Sequence, residues 1–293
     1  MTFKKYADLY IQLNEDIWKP SYLDKNKRII ELRLNAFNDK NIQDIRASEI
    51  KLWIKSVNDV GTKSIRNYIS VLNGIFQLAL EDEIINKNPI VHVKRPYYKA
   101  PKIKPFTSDE VKMILEHCQN YNFNFVYFLA MGFYTGMRTG EILALKRYEI
   151  DLDNKVLHVN STRSRFGEGT PKTYGSKRII PIINSLMPYV QKMYNLNNTD
   201  YMLTNQYDRP YIDSKVFHFR WWQPIFKELN LEYRRPYNMR HTYATNMLYK
   251  NLVSPLQLAQ LLGHANTQMI YDVYVAYLNR NLDDFDRSIT VYE

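Results

Sequence analysis

The stretch "RPYNMRHTYATNML", Arg235 to Leu248, reads as the start of a helix: beyond Pro236 come Arg240 and His241, and the next turns carry Ala244, Met247 and Leu248. Helix starts attract anions, because their first N–H groups lack intrahelical partners and the helix dipole adds to the attraction. An arginine and a histidine placed there beside apolar residues have two readings, an anion site or a cap packed into the core. On these residues alone His241 is read as a capping or core histidine.

Outward from this helix, the second part of the chain looks mostly helical with one small sheet. "FTSDEVKMIL" opens it, with Thr107 and Glu110 spaced as a capping box. "KVLHVNST", "SKRIIPI" and "YMLTN" have strand character, and a turn around Gly167 and Gly169 separates the first two. Val216 to Leu229 is helical again. "SPLQLAQLLG" then has Ser254 as cap, Pro255 in the first turn and Gly263 as stop.

Toward the N-terminus the pattern is helical without strand signal. Tyr6 to Leu13, Asp24 to Phe37, a helix for which Ser48 can serve as cap, and a long amphipathic segment from Gly61 to about Ile85 predict a four-helix domain over residues 1–85. Residues 86–105, "NKNPIVHVKRPYYKAPKIKP", hold four prolines, six lysines or arginines and no acid. Such composition predicts a linker able to lie against phosphates through Lys94, Arg95, Lys99, Lys102 and Lys104. A second domain is expected over 106–280, followed by an acidic tail, 281–293.

Composition narrows the classes. The 293 residues carry 40 basic against 30 acidic side chains, net +10, which favours a polyanionic partner. Both expected domains are basic: residues 1–105 hold 19 basic and 12 acidic side chains and residues 106–280 hold 20 and 14. The single cysteine, Cys118, excludes an intrachain disulfide and suits a reducing compartment. Neither a secretory signal nor a run of roughly 20 apolar residues is present, so no membrane association and a cytoplasmic location are expected. His264 has no second histidine or cysteine at ligand spacing, so neither a metal nor a cofactor is expected.

Four islands place polar groups in apolar settings. "YTGMRTGEILAL" sets Arg138 before a helix start with Glu141, where it meets either that carboxylate or an anion. "GTPKTYGSKRIIPI" has Lys172 and Lys177 at a hairpin. The third is the opening stretch. In the fourth, "LGHANTQMIYDVYVAYL", His264 follows the Gly263 stop and tyrosines recur at 271, 274 and 277, a spacing that by itself predicts a packed stripe on one helix face.

Together "TGMRTGEILAL", "PKT", "NMRHTYAT", "LLGH" and "DVY" resemble, in order and spacing, the tyrosine recombinase family of phage integrases and Xer-type resolvases. The resemblance covers nearly the whole chain. It implies a mainly α fold with a small β-sheet: an N-terminal four-helix core-binding (SAM-like) domain and a C-terminal α+β catalytic domain. It also implies site-specific DNA recombination through a 3′-phosphotyrosyl intermediate. Arg138 and Arg240 match the two arginines that grip the scissile phosphate, Lys172 the hairpin lysine that protonates the leaving 5′ oxygen, and His264 a phosphate-binding position. Glu141 matches an orienting acid. Tyr274, ten residues past His264, matches the nucleophile, and Tyr271 and Tyr277 are expected to pack around it.

That set of residue types suits phosphoryl transfer. Two guanidiniums stabilise the charge of the transition state without a metal, and a phenol attacks only once its proton is removed or its anion is held by cations. One position departs from the family. Tyr237 stands where a histidine is usual, three residues before the second arginine, so base function is expected to be weaker or redistributed, slowing catalysis by roughly 10- to 100-fold.

The resemblance further implies double-stranded attachment sites, a homotetramer on paired sites with the tail 281–293 passed to a neighbour, and DNA-bending or directionality accessory proteins. A phage or other mobile element is the expected context. The helical reading begins almost at Met1, so an arm-binding module ahead of it is expected to be absent or removed. Two alternatives stay open: a DNA-binding regulator with weakened catalysis, and a type IB topoisomerase-like relaxing enzyme.

Overall fold

The computed structural model describes residues 1–170 and 176–274, with the side chain of Asp272 left aside. The chain divides into two units, Met1–Pro101 and one starting at Lys102. Among the described residues, no helix is long and apolar enough to cross a membrane.

The first unit is built from α1 (Phe3–Gln12), α2 (Pro20–Arg33), α3 (Ala47–Ser56) and α4 (Thr62–Glu81). α4 is the hub, because Ile69, Leu72, Ile75 and Phe76 recur on one face and are all fully buried. Phe3 of α1 lies 5.9 Å from Phe76, and Ile29 and Ile30 of α2 are buried in the same core. Each such side chain contributes about 1.5–3 kcal/mol through removal from water. Two expectations are corrected. α3 starts at Ala47 behind Arg46, so Ser48 lies inside the first turn rather than capping it. The helix expected over 24–37 begins at Pro20, whose fixed φ suits a first turn, and ends at Arg33 before a separate 3₁₀ turn, Asn35–Phe37.

Of the stretch 86–105, the first part packs on the first unit. Asn88 caps a 3₁₀ turn, Pro89–His92, and Ile90 and Val93 are buried in that unit's core. Arg66 Nη1 donates to the Pro96 carbonyl at 3.1 Å. Farther on, Phe106 is buried in the second unit, its N–H donating to Thr242 Oγ1 at 2.9 Å.

In the second unit, α5 (Ser108–His117) has the expected capping box from Thr107 and Glu110. α6 (Phe123–Thr135) is apolar on nearly every side and forms the centre of the core. After α7 (Thr139–Ala144), β1 (Ile150–Asp151) pairs antiparallel with β2 (Val156–Val159). A hairpin of β3 (Thr162–Ser164) and β4 (Gly167–Gly169) follows, and β5 (Arg178–Pro181) closes the small sheet by pairing antiparallel with β2. "YMLTN" is not a strand. It makes only isolated bridges, because the Asn197 side chain donates to the Tyr201 and Met202 carbonyls that a ladder would need.

α8 (Met187–Leu196) packs on α6. The helical stretch expected over 216–229 comprises α9 (Lys215–Phe217), a π-helical turn over His218–Trp222, and α10 (Gln223–Glu228), with Trp222 fully buried. α11 (Asn238–Tyr249), α12 (Pro255–Leu262) and α13 (Gln268–Tyr274) share a smaller core of Tyr243, Ala244, Leu248, Leu258, Leu262, Ile270 and Tyr274. That core joins the helix bearing Arg240 to the one bearing Tyr274.

Candidate active site

The site is assembled at the C-terminal end of α12. Ser254 and Pro255 start this helix, and Gly263 ends it in the left-handed conformation, φ +67°, that glycine tolerates. The last carbonyls of a helix lack intrahelical donors and carry the negative end of its dipole. Here three of them receive arginines: Arg178 Nε donates to Leu261 O at 2.6 Å, Arg240 Nη2 to Leu262 O at 2.6 Å, and Arg138 Nη2 to Gly263 O at 3.5 Å. Three guanidiniums from β5, α11 and the start of α7 are thereby gathered at one place.

A single carboxylate tempers their repulsion. Glu141 is 1% exposed; Arg178 donates to both of its oxygens, at 3.2 and 2.8 Å, and Arg138 Nη1 donates to Oε1 at 2.7 Å. The Arg138 backbone N–H adds a bond at 2.9 Å. Burial opposes the charge, but the bonds from Arg178 and the nearness of Arg138 outweigh it and hold the carboxyl below its ordinary range. With three arginines and one glutamate, the cluster keeps a positive surplus suited to a phosphate.

Arg240 is 1% exposed and rigidly held. Besides Leu262 O, it donates to Gly136 O at 2.8 Å and to His264 Nε2 at 2.9 Å. Gly136 presents that carbonyl by ending α6 at φ +64°, where a Cβ would come 2.6 Å from the Tyr243 ring. Burial, with Arg138 nearby, lowers Arg240 to about 10, so it stays charged at neutral pH. Three of its five N–H groups are directed at Gly136, Leu262 and His264.

A guanidinium only donates, so His264 Nε2 is an acceptor and the proton of the neutral ring sits on Nδ1. That Nδ1 is buried and has no hydrogen-bond partner among the described residues. Burial, then Arg240, Arg138, Arg178 and His241, lower His264 to about 4, so the ring is neutral at physiological pH. It therefore offers an N–H beside the guanidiniums.

Tyr274 is 2% exposed, and its hydroxyl lies 2.8 Å from His241 Nδ1. Burial is the main cause of a raised phenol pKa, which Arg240 opposes. Burial and Arg240 lower His241 to about 4. A protonated phenol facing a neutral imidazole is the donor of the pair. Tyr237 is 43% exposed and sets its ring edge-on to His241, centroids 4.9 Å apart. Tyr271, expected to pack beside Tyr274, is 44% exposed instead, since α13 turns that face outward. Lys172 and Tyr277 lie outside the described residues. Among the described residues there is no cluster of His, Cys, Asp and Glu able to hold a metal ion.

Arg138, Glu141, Arg240, His264 and Tyr274 are thus brought together, with Tyr237 at the edge. The family model for the phage integrases matches residues 104–280, which spans all of them. The chain belongs to the phage integrase family.

Its likeness to individual members of the family extends beyond that region. The ICEBs1 integrase of Bacillus subtilis is 26% identical over 294 residues, covering 94% of this chain and 78% of the relative. The fold matches the Tn1549 transposon integrase, solved in complex with a circular intermediate DNA, at TM-score 0.82 and 19% identity over 94% of this chain and 95% of that one. A lambda integrase tetramer bound to a Holliday junction matches at TM-score 0.75 and 19% identity, over 91% and 78%.

Two contributors were not singled out by sequence reading. Arg178 was read only as part of a strand, although period-two alternation places it on the same face of β5 as the buried Ile180. His241 was read as a cap or core residue, and no local pattern distinguishes that from a partner of Tyr274.

Proposed function

We propose that this protein is a site-specific DNA recombinase that cuts and rejoins strands through a 3′-phosphotyrosyl intermediate, for integration or excision of a mobile element. The observation that carries this reading is the convergence of Arg138, Arg240 and His264, whose Nδ1 is unpartnered among the described residues, on the end of α12, with Tyr274 in the core that α12 shares and bonded to the neighbour of Arg240. Arg138 and Arg240 grip the scissile phosphate, their charge rising in value as the transition state gains negative charge in a water-poor setting. His264 Nδ1 donates to a phosphate oxygen. Glu141 orients the arginines. Tyr274 Oη attacks phosphorus and Lys172 protonates the leaving 5′ oxygen; the phosphotyrosyl ester conserves the bond's energy, so a 5′ hydroxyl reverses the step without ATP.

Residues 1–85 act as the core-binding domain, and the basic stretch 86–105 lies along the backbone. Lys94, Arg95, Lys99, Lys102 and Lys104 are all exposed, as such contacts require, although Lys104 also pairs with Glu232 at 2.6 Å. The active species is a homotetramer on paired duplex sites, with residues 281–293 exchanged between subunits and with bending or directionality proteins as helpers, in the cytoplasm. The neighbours solved on DNA support the partner, and the lambda tetramer on a Holliday junction supports the assembly.

The test is a nicked suicide duplex carrying the cognate site. A covalent adduct that Tyr274→Phe abolishes supports the proposal; binding without any adduct assigns a regulator. Relaxation of supercoiled DNA without joining of two sites assigns a type IB topoisomerase-like activity.

A further inference from the structure

A nucleophilic phenol needs an acceptor for its proton, and the structure supplies one that the family comparison does not assign. Tyr237 occupies the place of the family's usual histidine, is 43% exposed, and presents a hydroxyl that is a poor proton acceptor at neutral pH. One helical turn on, His241 puts Nδ1 2.8 Å from Tyr274 Oη, within range for direct proton transfer. Its ring is held between Tyr237, edge-on at 4.9 Å, and Tyr274, with centroids 5.8 Å apart. The imidazole is thus fixed on the one atom that must lose a proton.

We propose that His241 is the general base of this recombinase, taking the Tyr274 proton through Nδ1 in place of the histidine that Tyr237 replaces. The inference rests on Tyr274 being the nucleophile. In the cleavage step the Tyr274 Oη–P bond forms, the P–O5′ bond breaks, and the Oη proton passes to Nδ1. The leaving O5′ takes its own proton from the group assigned to Lys172. In rejoining, the 5′ hydroxyl gives its proton to the group assigned to Lys172 and attacks phosphorus, the P–O5′ bond forms, the Oη–P bond breaks, and Nδ1 returns its proton to Oη.

The surroundings fit a base that becomes stronger when DNA binds. The groups about His241 are Arg240 on its own helix, Tyr237 just before that helix, Tyr274 on α13, and His264 on the turn before α13, with Arg138, Arg178 and Glu141 completing the cluster. Without DNA, burial and, after it, Arg240 disfavour a charged imidazole. A phosphate between the arginines offsets the Arg240 part of that penalty and makes protonated His241 less costly, just when the proton must be accepted.

The experiment is single-turnover cleavage of the suicide duplex by full-length variants at saturating DNA. His241→Asn keeps a polar atom near the position of Nδ1 but cannot take a proton. Adduct formation should slow by about 100-fold, with loss of the acid limb of the pH–rate profile. The deficit should persist on DNA with a sulfur in place of the scissile 5′ bridging oxygen, because sulfur removes the need for a leaving-group acid and does nothing for the nucleophile. Free imidazole should restore adduct formation to His241→Ala, which a purely structural defect would not allow. Cleavage by His241→Asn at the parent rate, rescue of it by the sulfur substrate, or failure of imidazole to restore His241→Ala overturns the inference. An adduct that survives Tyr274→Phe instead overturns the assignment of the nucleophile.

Discussion

Arg178 donates to both carboxylate oxygens of Glu141, across 37 residues of sequence, from a side chain 5% exposed to one 1% exposed. Arg178→Ala would leave Glu141 buried with half of its charged partners. Breaking a buried pair from one side costs about 3–5 kcal/mol. Urea denaturation should show a loss of that order. Arg178→Lys should recover only part of it, since one ammonium cannot reach both oxygens and the Leu261 carbonyl together. An Arg178→Ala chain as stable as the parent would refute this account of the pair.

Arg240→Lys keeps the charge and loses the fork. The three acceptors, Gly136 O, Leu262 O and His264 Nε2, are fixed in space around a planar group. Adduct formation should drop by about 10²–10³-fold, while affinity for the duplex falls far less. Equal losses in the two measurements would show that Arg240 contributes binding rather than transition-state stabilisation.

Gly136→Ala would place a Cβ 2.6 Å from Tyr243 and 2.9 Å from Leu262 at a residue with φ +64°. The left-handed backbone and the overpacking together should cost on the order of 2–4 kcal/mol. Because Gly136 O also holds Arg240, cleavage should fall with stability. A melting temperature unchanged within error would contradict this.

Acid should weaken the fold in two stages. His241 and His264 titrate near 4 in the folded chain and near 6.5 when unfolded, so between those values the unfolded state binds more protons. The stability contributed by the neutral rings is therefore complete above about 6.5 and lost as pH falls toward about 4. Glu141 has a depressed pKa, so its contribution is present above the ordinary carboxylate value of 4.5 and disappears below it. Denaturation series at several pH values should show the first slope flattened by His264→Asn. An unaltered slope would mean that the ring is not buried neutral.

Salt should separate the basic side chains of the stretch 86–105. Each phosphate contact adds about 0.9 to the slope of log affinity against log salt. Replacing exposed Lys94 or Arg95 with Gln should lower the slope by about that amount if each sits on a phosphate. Lys104→Gln should do less, because Glu232 already holds that ammonium. Identical slopes for all the variants would place the backbone contacts elsewhere.

Much of the second unit was legible because its signals are local. The capping box at Thr107, the Ser254 cap and the Gly263 stop are backbone rules spanning a few residues, and the helices follow them. Where longer-range bonding intervened, local reading failed. "YMLTN" has strand composition, yet its carbonyls go to the Asn197 side chain. The tyrosines at 271 and 274 share helical spacing, yet one is 44% exposed and the other 2%, because only the latter faces α11.

The sequence by itself determined the types and order of the reacting groups, the helix ends that present them, and through them the family. Tertiary structure alone decided which partners those groups meet. Arg138 reaches Gly263 across 125 residues, Arg240 reaches Gly136 across 104, and His241 reaches Tyr274 across 33. Periodicity reports the face of one element, not the element packed against it. The orphan carbonyls at the end of α12 gather the arginines, and the shared core of α11, α12 and α13 brings an imidazole to the phenol.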